Sequence, residues 1–362
     1  MKKRMARSDC GFSLVEMLVA TAITATVTAL ACGLAVEAHH VWRVDGSRVD
    51  VQQRVRVAAD VLTRALLESG AGAHAGPGKG PLVRFLPPLI PRRTGRRGAD
   101  PPATFRSDAL TVVRVVAEAE HGVLRLPVAP GDTAIEIAPA PTCDLPACGF
   151  VEGAVALLLD DTGNHDLFTV LGVSGQALSL RHHGGGAHAA YQAGSPVLVA
   201  EVSTYYFDRE TRILRRYDGD DSDLPLMDDV VDLELEYYGE PRPPARPRPA
   251  SGVSNCLYET DGSYRAALLP VLPGVGGSEA RLTDAVLTDG PWCGSGPNQF
   301  DADLLRVRRV RATVRLQASD PSVRGADPAR FRVPGFGRRS ALLVSDANVV
   351  IDVTPRNLRS GW

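Results

Sequence analysis

Glu16 is the residue whose placement most demands a use. It is the one charged side chain between Phe12 and Val36, a run of 25 residues otherwise made of apolar, small and hydroxyl-bearing side chains. A carboxylate in a membrane-spanning helix costs up to about 2.5–3.5 kcal/mol on insertion scales, which makes it a functional candidate by default. The cysteines form a second constellation. Cys10 and Cys32 fall in or before the apolar run, and Cys143, Cys148, Cys256 and Cys293 follow it. An even number in an oxidising compartment favours disulfides, and three pairings are open. Proximity in sequence favours Cys143 with Cys148 and Cys256 with Cys293, the second worth about 3–4 kcal/mol by loop closure. A zinc site would want two closely spaced Cys pairs, which Cys256 and Cys293 do not supply.

Two further clusters carry ligand atoms. His182, His183 and His188 flank Gly184, Gly185 and Gly186 and read as a solvent loop between strands. Asp218, Asp220, Asp221 and Asp223 form an acidic turn with the oxygen chemistry for calcium, but the glycine and closing glutamate of an EF-hand are missing. The reading is therefore no metal, with calcium at these aspartates as the alternative. No P-loop, G-x-S-x-G, H-E-x-x-H or dinucleotide fingerprint occurs. The expectation is a protein that is not an enzyme and needs no cofactor.

The elements that must position these residues follow from patterning. Residues 12–36 make about 37 Å of helix, enough to cross a hydrocarbon layer of about 30 Å. A secretory signal has a shorter apolar region and a small-residue cleavage site. Lys2, Lys3, Arg4 and Arg7 against Asp9 give the first eleven residues a net charge of +3, in a chain whose total is -2. That cluster keeps the N-terminus cytoplasmic and sends everything after about residue 40 across the membrane. The remainder is net acidic and offers no field for nucleic acid. No proline occurs before Pro77, so the helix is expected to continue over 37–69, with Gly33 and Gly46 as possible bends. There Val44, Val51, Val55, Ala58, Leu62 and Leu66 make one helical stripe.

Residues 70–109, rich in Gly, Pro and Arg, read as a linker, with Arg92, Arg93, Arg96 and Arg97 in solvated loop. Strand patterns follow at 110–117, 122–128, 133–138, 154–159, 167–173, 177–181, 197–207, 212–217, 230–238, 304–316 and 341–353. Irregular insertions are expected near 239–255 and 270–300. The fold class is α+β: one long helix, then an antiparallel sheet head over 110–362.

The run Gly11-Phe12-Ser13-Leu14-Val15-Glu16-Met17 behind a basic leader resembles the G-F-[ST]-L-[IV]-E signature of type IV prepilins and type II secretion pseudopilins. The resemblance implies a pilin-like fold, removal of leader 1–11 by a prepilin peptidase between Gly11 and Phe12, and methylation of the new Phe12 amine. It further implies that Glu16 pairs with the amine of a neighbouring subunit during assembly. Opposite charges in an apolar layer attract strongly while each alone is costly, so mutual neutralisation rewards one axial register. The segment Pro225-Leu226-Met227-Asp228-Asp229-Val230-Val231-Asp232-Leu233 with Tyr237-Tyr238 is similar to one in PilW-type minor pilins and GspJ-type pseudopilins. The closing Val353-Thr354-Pro355-Arg356-Asn357-Leu358 is similar to the end of PilW-like chains. The implied partners are the peptidase, other pilins or pseudopilins, and an inner-membrane assembly platform. The implied location is the inner membrane, then the pilus at the cell surface.

Overall fold

The structure, a computed structural model, describes residues 13–74, 80–116, 121–139, 146–183, 189–274, 279–339 and 342–358. It is the α+β arrangement expected: one long helix, Leu14–Glu68, of 55 residues, followed by antiparallel sheet. The helix passes through Gly33 and Gly46 without a break. Two compact units divide the chain, one made of 1–52 with 318–346 and the other of 53–317 with 347–362.

In the first unit the helix is fully exposed from Ser13 to His39. Beyond it, Val44 and Val51 of the predicted stripe are buried. Residues 318–346 lie along this part of the helix. Arg339 Nη1 donates to Glu37 at 2.7 Å and Arg43 lies 3.8 Å from Asp320, while Val44, Val323 and Leu343 line one small cavity. The exposed ion pairs add little, typically under about 1 kcal/mol each.

In the second unit the helix buries Ala58, Leu62 and Leu66, the rest of that stripe, with Val55 half-buried beside them. They pack into a core shared with two sheets. The smaller sheet orders its strands Ala280–Leu282, Val230–Gly239, Val307–Leu316 and Ala347–Val353. Alternation sets its faces. Val310, Ala312, Val314 and Leu316 point inward, while Arg309 and Arg311 stay outside on Asp352.

The larger sheet is organised by its longest strand, Pro196–Asp208. Its second half pairs with Ala109–Val115 and Ile213–Tyr217. Its first half pairs with Gly122–Leu124 on one edge and Val155–Leu159 on the other. From those two strands the pairing continues through Ala134–Pro139, Ala177–His182 and His165–Ser174, so six strands close on themselves. Leu124, Ile137, Phe168, Leu178 and Tyr191 belong to the separate core this ring produces. Closure leaves none of the six with an open edge along the paired stretch.

Three expectations need correction. Residues 304–306 are a 3-10 turn, Ala302–Arg306, rather than the start of a strand, because Asp301 caps it through the Asp303 amide. The closing strand begins at Ala347, not at 341. The 70–109 segment is irregular but is not a solvated linker. Leu82, Leu86, Leu89 and Ile90 are buried, and Leu89 and Ile90 pair as a short strand with Val112 and Thr111. Its apolar residues are concentrated at 82–90, but Pro81, Pro87 and Pro88 interrupt them, so no helix or strand of ordinary length announces their burial.

The insertion at 239–255 is irregular, whereas that at 270–300 contains short strands at Ala280–Leu282 and Trp292–Cys293; polar contacts pin both. Tyr258 and Tyr264 hydroxyls donate to the Ala245 and Pro244 carbonyls. Cys256 and Cys293 form a disulfide, with Cα atoms 4.8 Å apart. Cys143 and the Cys148 side chain lie outside the described residues. Peptide mapping without reductant should recover Cys256 linked to Cys293, and reduction should lower denaturant stability by about 2–4 kcal/mol. Free thiols at both positions would overturn the pairing.

Candidate functional site

Gly11 and Phe12 lie outside the described residues. The next residues begin the helix with a reciprocal pair: the Ser13 amide donates to Glu16 Oε2 at 2.9 Å, and the Val15 amide donates to Ser13 Oγ at 3.2 Å. This is a capping box, which satisfies helix-end donors that have no intrahelical acceptor. The Ser13-x-x-Glu16 spacing is the sequence signature of this cap, and it gives Glu16 a local role beside its charge. One carboxylate oxygen is thus held, and the side chain is exposed.

Beyond it the helix presents apolar side chains on every side. Leu14 is 78% exposed and Leu34 74%. Thr21, Thr24 and Thr26 turn their hydroxyls back onto carbonyls one turn earlier, so the polar groups are satisfied within the helix. Ala20, Thr24 and Thr28 recur at four-residue spacing and give a narrow face where another helix backbone can approach closely. Trp42, 78% exposed, follows the apolar run, where an amphipathic ring suits a membrane–water boundary.

The basic loop and the acidic turn, which sequence treated as separate features, are partners. Arg96 donates to Asp220 at 2.9 Å and also pairs with Asp221, and Arg97 reaches Asp221 at 2.7 Å. Arg181 holds both aspartates from the Ala177–His182 strand. Asp218 accepts from the amides of Asp220 and Ser222, and Asp223 takes the Tyr206 hydroxyl and Arg215. Burial works to raise the Asp220 carboxyl, but Thr169, Arg181 and His183 outweigh it and hold it below the usual range. With its carboxylates committed to guanidiniums, the turn serves as a clasp. The Gly95 backbone, at φ 118°, touches Gly219, and a side chain there would run into the Gly219 carbonyl. Gly95→Ala should therefore cost about 2–3 kcal/mol of stability by denaturant titration. No change would mean the loop is not clasped.

His182 Nε2 lies 2.7 Å from Asp166 Oδ1, and His183 Nε2 lies 2.9 Å from the Thr169 hydroxyl. Both are buried rather than in a solvent loop, and His188 is outside the described residues. The structure adds a cluster that sequence did not single out. Asp289, Asp301 and Asp303 bring one carboxylate oxygen each within 4.8 Å of one another. Asp301 accepts from the Gly290 and Asp303 amides, and Asp303 pairs with Arg306 at 2.5 Å. Burial pushes the carboxyls up, to about 6 at Asp301 and about 7 at Asp303. Sequence held no signal for this, since the partners come together only through the fold.

The segments behind the family resemblance have structural work. Asp229 sits at φ 54° between two strands, and its carboxylate takes Arg54 of the helix at 2.9 Å. Asn357 donates to the Leu67 and Ser69 carbonyls at 3.1 and 3.3 Å, capping the C-terminal end of the helix, while Leu358 is buried. Both segments thus fasten the upper helix to the head.

Comparison with known proteins finds that residues 6–31 match the prokaryotic N-terminal methylation motif. That motif implies processing by a prepilin peptidase and association with pilin or pseudopilin assemblies. No curated protein and no solved structure matches the chain.

Proposed function

We propose that the mature chain is a minor pilin of the PilW kind, anchored in the inner membrane and then built into a type IV pilus, where it primes assembly at or near the tip. The observation that carries this reading is the methylation motif over 6–31, continuous with an apolar helix that is exposed from Ser13 to Val36. Such a surface must be covered by lipid before assembly and by other helices after it. The N-terminus is cytoplasmic and the head periplasmic on this reading. The role is structural, not catalytic. A GspJ-type pseudopilin of a type II secretion system is the alternative, and the 225–238 segment favours it as much as it favours PilW.

N-terminal mass spectrometry of the protein made in its own cell envelope tests the reading. The expected species starts at methylated Phe12. Gly11→Leu should abolish the mass loss of the leader almost completely. A mature chain that retains residues 1–11, or normal trimming of the Gly11 variant, refutes it. Recovery from sheared pili or from a secretion apparatus then separates the two assemblies.

A further inference from the structure

A second site lies in the head, independent of the N-terminal helix. A cavity of about 440 Å³ opens where the 90–100 loop meets the His165–Ser174 strand and the turn at Pro297 and Asn298. Its walls combine apolar Ile90, Val113 and Leu167 with His165, His183, three arginines (Arg92, Arg93 and Arg96) and one carboxylate, Asp100. That mixture of apolar lining and a few convergent polar groups is typical of small-molecule sites, which run from about 300 to 1,000 Å³.

The decisive feature is a buried cation with an unsatisfied donor. Arg92 is 3% exposed, and its guanidinium meets only carbonyl oxygens among the described residues: Pro101 at 3.5 Å, Pro297 at 3.4 Å and Gln299 at 2.7 Å. Its Nε finds no hydrogen-bond partner there. Burial pulls this guanidinium down to about 10, opposed by Asp100. Arg93 stacks 4.0 Å over the Tyr206 ring, and its Nε is also buried and unpartnered among the described residues. Nearby carboxylates are engaged elsewhere. Asp100 accepts from the Arg93 amide and faces Arg106 at 3.7 Å, and Asp166 is shared by His182, Tyr191 and Asn298.

The histidines add polarity without positive charge. Burial pushes both His165 and His183 down to about 4, so each ring is neutral at pH 7. Their Nδ1 atoms are buried without partners among the described residues. Thr169 gives its proton to Asp220 at 2.6 Å, so it accepts from His183 Nε2, which leaves His183 Nδ1 as a hydrogen-bond acceptor. A buried guanidinium with an unpaired donor is costly, and Asp100, shared with the Arg93 amide and Arg106, offsets it without a hydrogen bond to it.

We propose that this cavity binds a small organic acid, its carboxylate taken by Arg92 and Arg93 and its carbon skeleton laid on Ile90, Val113 and Leu167. Guanidiniums suit a planar carboxylate, which they can grip with paired donors. Inorganic phosphate or sulfate shares the charge but has no carbon skeleton for the apolar wall.

The test is isothermal titration of the full-length mature protein in non-ionic detergent at pH 7.5. The probes are acetate, succinate, citrate, phosphate and sulfate, each against chloride at equal ionic strength. At least one carboxylate should bind, and Arg92→Lys, which keeps the charge but loses the fork, should weaken it at least tenfold. Should Arg92→Lys unfold, Arg93→Lys serves as the second variant, with an expected loss of at least threefold. Binding of phosphate or sulfate alone, no binding beyond chloride, or affinity unchanged in the variants would each overturn the proposal.

Discussion

Replacing Glu16 with Gln is expected to leave leader removal intact while cutting the mature chain in sheared filaments at least tenfold. The argument starts from the cost of a charge in an apolar layer. Even at an effective dielectric of about 20, an ammonium 4 Å away stabilises the carboxylate by about 4 kcal/mol, and each 1.4 kcal/mol is a factor of ten. Gln keeps the shape and the hydrogen-bonding reach but loses that attraction. A competing explanation is local, since Glu16 closes the capping box with Ser13 and breaking the box would fray the helix start. Ser13→Ala separates the two. It removes the hydroxyl half of the box, a loss of about 1 kcal/mol, and leaves the carboxylate free for a neighbour. Filaments containing Ser13→Ala but lacking Glu16→Gln would assign the residue to assembly. Equal loss in both variants would reduce Glu16 to a helix cap, and normal incorporation of Glu16→Gln would remove its role altogether.

What the sequence made legible was whatever obeys a period or a local rule. The helix was readable because apolar density and then a 3.6-residue stripe persist without proline from 12 to 69, and Ala58, Leu62 and Leu66 are the residues the structure buries. The alternation Val231-Asp232-Leu233-Glu234-Leu235 likewise announced a strand with one wet face. Strands that owe their existence to a partner leave little local pattern, as at Leu89–Ile90 and Trp292–Cys293 and also at Asp223–Met227, where acidic and proline residues read as turn. The same limit explains the clasp. Arg96 and Asp220 are 124 positions apart, and each cluster alone looks like solvated charge. Only chain topology brings them together, so local composition points to a solvated basic loop and a separate acidic turn, not to one ion-paired joint.

Arg306→Met is expected to be the most damaging substitution in the head, lowering stability by about 3–5 kcal/mol. The side chain is fully buried and closes three segments at once. Its Nη1 donates to the Pro241 carbonyl at 2.7 Å, its Nη2 to the Pro270 carbonyl at 2.9 Å, and its Nε faces Asp303 at 2.5 Å. These contacts hold the roots of both insertions, which are ordered by at most short two- and three-residue ladders. Removing the guanidinium leaves two carbonyls and a carboxylate buried without a donor, and the penalty for a stranded charge exceeds the net value of the pair. Arg306→Met paired with Asp303→Leu should therefore recover at least half of the loss. The disulfide between Cys256 and Cys293 spans the same region, so reduction and Arg306→Met should be non-additive. Denaturant titration of the four combinations, oxidised and reduced, measures both effects. A wild-type-like midpoint for Arg306→Met would mean that the insertions are held by the disulfide and the tyrosine hydroxyls alone, and strict additivity would mean that the two restraints act on separate parts of the head.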